Sequence, residues 1–241
     1  MIVDMALSGN QKVRFMERFN LTSFQTRAVS AFILGPAVLL VIWFGAWPFA
    51  AMMVLAVVIA VYEWVKLSIK CKPQALFLLV GGVYICLSFS CFYFLRETHP
   101  AFIFYLLGIV WASDIGAYFA GKFIGGPKLW ESVSPNKTWA GLGGAVFAPL
   151  CILPLWLYFD GSREPLFIVL YFAMGFMILG VLGQAGDLLI SAFKRRAGVK
   201  DTGQLIPGHG GLLDRVDSLM LVTPVFYLLL MAYLVSLSYA S

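Results

Sequence analysis

Seven long apolar runs, separated by short polar segments, constrain this chain more than any other feature of its sequence. A helix that crosses the hydrocarbon core of a bilayer needs about 20 mostly apolar residues, with a range of roughly 17–25. The runs predict spans at 28–45, 47–62, 75–95, 101–121, 138–159, 165–193 and 213–239. The first two are short, and the sixth is long enough to extend past the membrane face. The predicted fold class is therefore an all-α, polytopic integral membrane protein with about seven transmembrane helices.

The composition agrees with a membrane protein and excludes an ordinary soluble domain. Hydrophobic residues make up 61% of the 241 residues and charged residues 12%, against about 45–50% and about 25% in a typical globular domain. The cysteines, Cys71, Cys86, Cys91 and Cys151, form no CxxC pair and are interpreted as small hydrophobic residues. The first apolar run begins only at Ala28, after a polar and basic stretch, so no cleavable signal peptide is predicted.

The basic residues alternate between the two ends of the predicted spans. Of the 17 Lys and Arg residues, all but Arg96 and Arg163 fall on one side of a seven-span arrangement. Because basic residues concentrate in cytoplasmic loops, the N-terminus and the segments after spans four and six are predicted to be cytoplasmic. The C-terminus is then periplasmic, and the predicted location is the bacterial inner membrane. This distribution also explains the net charge of +5 without nucleic acid as a partner.

Polar residues gather in the two longest segments of the predicted cytoplasmic face, which hold six of the 12 acidic residues beside eight basic ones. Asp114 lies late in the fourth run, and an ionised Asp at a bilayer centre costs roughly 2.5–3.5 kcal/mol. It indicates either a polar site or a helix end packed against a basic loop. Asp187, Ser191 and Lys194 share one helix face by their spacing. Asp187 therefore belongs to a site or to a surface ion pair with a nearby basic residue.

Asp214 and Asp217 lie three residues apart at the start of the last predicted helix, so that both can point at one ligand. Acidic residues in a first turn are also favoured by the helix dipole alone. Converging carboxylates suit Mg²⁺, which takes oxygen ligands and keeps waters and substrate phosphates in its shell. The turn 207–211, Pro-Gly-His-Gly-Gly, can approach an anion through its backbone amides. His209 alone is weak evidence, because a lone His is more often a structural hydrogen-bonding residue.

The order of these residues resembles a known family. The motifs that carry the resemblance are Ser134-Pro-Asn-Lys-Thr-Trp139, Gly186-Asp187-Leu188, Ser191, Lys194-Arg195, Lys200-Asp201, Pro207-Gly-His-Gly-Gly211 and Asp214-Arg215-Val216-Asp217-Ser218. Across about residues 110–220 they are similar to the phosphatidate cytidylyltransferases (CDP-diacylglycerol synthases). The chain is accordingly divided into 1–100, an N-terminal arm with the first transmembrane helices, and 101–241, a catalytic transmembrane region that carries the family motifs.

The resemblance implies transfer of a cytidylyl group from CTP to phosphatidic acid, giving CDP-diacylglycerol and pyrophosphate for phospholipid biosynthesis. It implies Mg²⁺, with a second cation such as K⁺ beside it, and a homodimer as one form of the protein. The loop charges independently predict that the site faces the cytoplasm. The implied metal ligands are Asp187, Asp214 and Asp217. The implied catalytic residues are Asp187, Lys194, Asp214, Asp217 and His209. The implied substrate-binding residues are Ser134, Lys137, Thr138, Arg195, Lys200, Arg215 and Asp114.

Three alternatives stay open on the sequence alone. Ala140 and Ile190 stand where the family often has Glu, which gives slight weight to a catalytically inactive scaffold. A related enzyme that acts on another lipid phosphate, or a lipid kinase, would show the same generic apolar contacts. An ion-coupled transporter would also carry intramembrane carboxylates, but its polar residues are expected near the midplane and in repeated motifs. The polar residues here collect at one face instead.

Overall fold

The computed structural model describes residues 23–160, 165–203 and 210–240. The α-helices in this part of the chain are α1 (Ser23–Phe44), α2 (Ala46–Ser68), α3 (Gln74–Thr98), α4 (Pro100–Phe123), α5 (Trp139–Phe147), α6 (Leu153–Asp160), α7 (Leu166–Arg196) and α8 (Leu213–Ala240). A short antiparallel hairpin, β1 (Lys128–Trp130) and β2 (Ser134–Thr138), separates α4 from α5. A 3-10 helix, Ala148–Ile152, separates α5 from α6.

Six helical segments of the described chain are long and apolar enough to cross a membrane. They are Ala46–Ser68, Gln74–Thr98, Pro100–Phe123, Trp139–Tyr158, Leu166–Arg196 and Leu213–Tyr239. They confirm the last six predicted spans and the all-α, polytopic fold class. The first predicted span, 28–45, overlaps α1 and ends one residue beyond it, and Phe32–Phe44 is a shorter apolar stretch of that helix. The four cysteines are free thiols.

The second span is longer than the sequence predicted. The predicted run ended at residue 62, whereas α2 has 23 residues and ends at Ser68. The helix continues because the residues that follow the apolar run are buried, including Glu63 and Trp64. A buried charge interrupts a hydropathy pattern without interrupting a helix.

The fifth span is a broken helix. Pro149 lies at the start of the 3-10 segment, which replaces regular α-helix between α5 and α6. Proline lacks the backbone N–H that a helix interior needs, so the break falls where the sequence requires it. The described segments still form one apolar span of 20 residues, from Trp139 to Tyr158.

Two clusters of buried apolar side chains hold the helices together. The larger cluster contains Phe49, Trp156, Phe172, Phe176 and Phe226, among others. The smaller cluster lies beside the polar end of the helices and contains Ala60, Trp64, Leu67, Ile85, Ile190, Leu213 and Met220. Ile190 is fully buried in it, which explains why an apolar residue stands at this position.

Helices α7 and α8 are antiparallel neighbours, and this arrangement builds the polar end. At the end of the pair away from the polar residues, the hydroxyl of Tyr171, near the start of α7, donates to the carbonyl oxygen of Leu229 on α8 over 2.9 Å. Near the polar end, a Cβ added to Gly186 would lie 2.6 Å from the carbonyl oxygen of Asp217. The glycine therefore lets the two backbones come close where the acidic residues lie.

Candidate active site

Two groups of polar contacts, called here the first and the second contact, join α7 to α8. Because the helices are antiparallel, Asp187 on α7 meets Asp217 on α8, and Lys194, two turns further along α7, meets Asp214, one turn earlier on α8. The residues that the sequence predicts to converge on one ligand are thus divided between two neighbouring contacts. The i, i+3 spacing of the two α8 residues places them opposite different turns of α7.

The first contact joins two acidic side chains to a basic one. The carboxyl groups of Asp187 and Asp217 lie next to each other and interact electrostatically. Asp187 Oδ2 also lies 2.7 Å from Nζ of Lys137, and its Oδ1 accepts a hydrogen bond from Ser191 Oγ over 3.2 Å. Two adjacent carboxylates repel each other, and a nearby positive charge or cation offsets that repulsion. Lys137, carried by β2, supplies such a charge.

Asp114 is linked to this contact through Gln184. The Gln184 side chain donates to Asp114 Oδ1 over 3.2 Å, and the backbone carbonyl oxygen of Gln184 accepts from Lys137 Nζ over 3.3 Å. Gln184 is buried, with 5% of its surface exposed. It therefore connects α4 to the hairpin through α7, and it was not among the residues that the sequence predicted.

The second contact surrounds Asp214 with hydrogen-bond donors. Its Oδ1 lies 2.7 Å from Nζ of Lys194. Its Oδ2 accepts from the backbone N–H of Thr202 over 2.8 Å and of Gly211 over 3.0 Å, and lies 3.0 Å from Thr202 Oγ1. The side chains of Lys194 and Asp214 are only 11% and 5% exposed. This buried ion pair fixes the end of α7 against the start of α8.

Glu63, from α2, completes the second contact and was missed by the sequence prediction. Only 2% of its surface is exposed. It accepts hydrogen bonds from Thr202 Oγ1 and from the backbone amides of Leu212 and Leu213, each over 2.9 Å. The sequence showed only a single acidic residue directly after the apolar run that ends at residue 62. A charged residue at that place is normally interpreted as part of a loop.

The remaining predicted site residues lie around these two contacts. Thr138 is buried and its Oγ1 accepts from Gly141 N over 3.0 Å, so it caps α5. Ser134, half-buried, begins β2. Arg195 Nε donates to the carbonyl oxygen of Val133 over 3.4 Å, which holds the hairpin against α7. Lys200 and Arg215 are exposed. His209 lies outside the described residues.

The paired carboxyl groups fit a magnesium ion. Across residues 23–160, 165–203 and 210–240, no group of three or more His, Cys, Asp or Glu side chains is arranged to hold a metal. Mg²⁺ does not need such a cage, because it binds through one or two carboxylates and completes its shell with waters and substrate phosphates. Asp187 and Asp217 offer that oxygen pair, beside a lysine able to bind phosphate.

The fold and site together define a class: a multi-pass membrane protein with paired carboxyl groups and basic side chains at one end of its helices. Residues 74–233 match the sequence model of the Cytidylyltransferase family. Because this match covers well over half of the chain, the protein belongs to that family. The resemblance drawn from the sequence motifs is thereby confirmed.

Several bacterial relatives are similar to the chain over 157 residues. The phosphatidate cytidylyltransferase of Staphylococcus aureus (strain COL) is 43% identical over 65% of this chain and 59% of the relative. That of Bacillus subtilis (strain 168) is 39% identical over 64% of this chain and 57% of the relative. That of Staphylococcus haemolyticus is 40% identical. The chain thus spans less than two thirds of the length of the curated relatives it matches.

Proposed function

We propose that this protein transfers a cytidylyl group from CTP to phosphatidic acid, giving CDP-diacylglycerol and pyrophosphate. The observation that carries the proposal is the Asp187–Asp217 carboxyl pair with Lys137 against it. This pair lies at one end of a membrane-spanning bundle in a member of the Cytidylyltransferase family. The names of its bacterial relatives supply the lipid substrate class.

The proposed reaction needs no side-chain nucleophile. A phosphate oxygen of phosphatidic acid is already anionic, and it attacks the α-phosphorus of CTP in line with the leaving group. The new bond joins that oxygen to the α-phosphorus, and the bond from the α-phosphorus to the bridging oxygen of the β-phosphate breaks. The protein must bring two polyanions together and stabilise charge on the leaving pyrophosphate, which is the usual demand of phosphoryl transfer.

The two polar contacts take separate tasks in this proposal. Asp187 and Asp217 would hold Mg²⁺, which would supply positive charge to offset the negative charge of the triphosphate. Lys137, released from Asp187, binds a substrate phosphate. Asp214 keeps Lys194 oriented toward the site, and it becomes available as a third metal ligand only when Lys194 leaves it. Arg195, Lys200, Arg215 and His209 remain proposed phosphate contacts, with Ser134 and Thr138 orienting phosphate oxygens.

The site is proposed to face the cytoplasm of a bacterial inner membrane. The basic residues support this orientation, because the polar end carries Lys137, Lys194, Arg195, Arg196 and Lys200 and cytoplasmic loops favour Lys and Arg. CTP then arrives from the cytosol, while the lipid enters sideways from the bilayer. A second cation such as K⁺ and a homodimer remain proposals that rest on the family resemblance.

A lipid-product assay tests the proposal. Purified protein with Mg²⁺, radiolabelled CTP and phosphatidic acid should yield a CDP-lipid, and Asp187→Ala and Asp217→Ala should abolish it while the protein still inserts. Glu97→Gln is the matched control, because Glu97 is an exposed acid whose ion pair with Arg96 lies at the other end of α3. Full activity in either aspartate variant would contradict the proposed metal pair.

The same assay separates the other candidate functions. A phosphorylated lipid without a CDP-lipid would identify a kinase. Product with an isoprenoid lipid phosphate, but none with phosphatidic acid, would keep the chemistry and change the substrate. No lipid product from the wild-type protein, together with ion flux in proteoliposomes, would identify a transporter.

A further inference from the structure

Glu63 has an environment that its position in the chain does not predict. It lies in α2, before the residues 74–233 that match the family, yet its carboxylate accepts hydrogen bonds from residues on either side of 204–209. Oε1 accepts from Leu212 N, and Oε2 accepts from Leu213 N and Thr202 Oγ1. The first amides of a helix have no partner within that helix. Glu63, which lies on α2, therefore accepts hydrogen bonds from backbone amides at the start of α8 that have no partner within α8.

Two glycines show that this contact is closely fitted. A Cβ added to Gly203 would lie 2.6 Å from Glu63 Oε1, and one added to Gly211 would lie 2.5 Å from Oε2. Side chains at these positions would displace the carboxylate. The backbones on both sides thus approach Glu63 as closely as glycine allows, which ties the position of α8 to α2.

The contact continues directly to the candidate active site. Thr202 Oγ1 lies between Glu63 Oε2, at 2.9 Å, and Asp214 Oδ2, at 3.0 Å. A hydroxyl carries one proton, so it donates to one carboxylate at a time. Asp214 already accepts two backbone amides on the same oxygen, which leaves the hydroxyl proton for Glu63. Asp217 follows Leu213 by about one helical turn, so its height against Asp187 depends on where α8 begins.

We propose that Glu63 is a positioning residue for the metal-binding carboxyl pair. It fixes the N-terminus of α8, and through it the height of Asp217 relative to Asp187, without touching substrate or metal. This inference deepens the proposed function and rests on it for the reaction. The metal-binding part is measured separately from turnover.

The matched variants are Glu63→Gln and Glu63→Asp. Glutamine replaces one acceptor oxygen by an NH₂ group that faces amide donors, so the start of α8 must shift. Aspartate keeps the charge and both oxygens on a shorter side chain, and a partial return of function in it is the expected rescue. Residues that orient metal ligands typically change metal affinity or activity by about 10–100-fold when mutated. Tyr171→Phe is the control, because it removes one α7–α8 hydrogen bond at the opposite end.

The experiment uses the full chain in detergent, with Mn²⁺ as the spectroscopic probe. Free Mn²⁺ is titrated by electron paramagnetic resonance, and turnover is measured against Mg²⁺, CTP and phosphatidic acid. For Glu63→Gln we expect Mn²⁺ affinity to fall at least about tenfold, kcat to fall similarly, and higher Mg²⁺ to recover part of the turnover. The KM for phosphatidic acid should stay within about twofold, since Glu63 is proposed to position the metal pair without touching substrate.

Each outcome decides the inference. If Glu63→Gln loses thermal stability but binds Mn²⁺ as the wild-type protein does, Glu63 is only structural and the inference fails. If neither Glu63 variant folds, Thr202→Val takes their place, because it removes the hydroxyl between the two carboxylates; unchanged Mn²⁺ affinity there would also overturn it. If the wild-type protein makes no CDP-lipid while Mn²⁺ binding still depends on Glu63, the proposed function fails and the positioning role stands.

Discussion

Lys194 Nζ lies 2.7 Å from Asp214 Oδ1, with both side chains nearly excluded from solvent. The pair joins the last turn of α7 to the first turn of α8. Removing one partner of a buried ion pair leaves an uncompensated charge, which costs about 3–5 kcal/mol. The ion pair between Lys194 and Asp214 therefore stabilises the fold of the site as well as supplying charge to it.

Lys194→Met should lower the apparent melting temperature in detergent and abolish turnover, because Asp214 then keeps its charge without its partner. The double variant Lys194→Met with Asp214→Leu should recover part of the stability and none of the activity, since two apolar side chains can replace a buried pair. Glu97→Gln, at an exposed pair, should change stability by less than about 1 kcal/mol. Equal stability of Lys194→Met and the wild-type protein would contradict the buried-pair interpretation.

Lys137→Gln should strengthen metal binding while weakening catalysis. Lys137 occupies Asp187 Oδ2, so its ammonium group competes with a cation for the same oxygen. Because the pair is partly exposed, we expect Mn²⁺ affinity to rise about fivefold, equivalent to about 1 kcal/mol. Turnover should fall, since the lysine is also a proposed phosphate contact. Lys128→Gln, an exposed lysine on the same hairpin, should change neither; weaker Mn²⁺ binding in Lys137→Gln would count against the competition.

Gly144→Ala and its neighbour Gly143→Ala should have opposite effects. A Cβ at Gly144 would overlap the carbonyl oxygen of Gly116 and lie 2.6 Å from Ala120 Cβ, whereas a Cβ at Gly143 meets nothing within 4 Å. Gly144→Ala must therefore separate α4 from α5 and lower both stability and activity. Gly143→Ala should be neutral or stabilising by up to about 1 kcal/mol, because alanine is the better helix former. Thermal unfolding in detergent compares the pair, and equal melting temperatures would refute the close approach.

Cysteine labelling should place the two ends of the bundle on opposite sides of the membrane. In a variant without the four native cysteines, Ser132→Cys in the hairpin and Thr98→Cys at the end of α3 are both exposed positions. A membrane-impermeant maleimide applied to spheroplasts should label position 98 at once and position 132 only after permeabilisation. The sequence makes the same prediction for position 162 outside and position 204 inside. Reversed labelling would overturn the proposed orientation.

The sequence predicted the spans well because apolar runs report burial in lipid directly. It also selected Asp187, Lys194, Asp214 and Asp217, since charges at helix ends are conspicuous in so apolar a chain. It did not predict how they pair. Spacing along one helix shows which residues share a face, but the partners of Asp214 and Asp217 depend on the register of α8 against α7, which close backbone approach at Gly186 sets.

Glu63 and Gln184 were beyond prediction for a related reason. Each acts through contacts distant in sequence: Glu63 with Thr202, Leu212 and Leu213, and Gln184 with Asp114 and Lys137. A lone polar residue at the end of an apolar run, such as Glu63, or inside one, such as Gln184, carries no spacing pattern that reveals its distant partners. Only the packing of α2 and α4 around α7 and α8 reveals the role.

The length of α7 has a consequence for how the lipid is supplied. Its 31 residues extend about 46 Å, against about 30 Å for the hydrocarbon core. In the proposed orientation, a span that begins at Leu166 crosses the core within about 20 residues and brings the turns from Asp187 to Arg196 to headgroup depth. A lipid phosphate can reach them without its acyl chains leaving the leaflet, which would cost roughly 0.8 kcal/mol for each exposed CH₂. Phosphatidic acid, the proposed acceptor, therefore reaches the site by diffusion within the plane of the leaflet. Its mole fraction in the leaflet and its lateral diffusion, rather than its bulk concentration, set how often the site is filled.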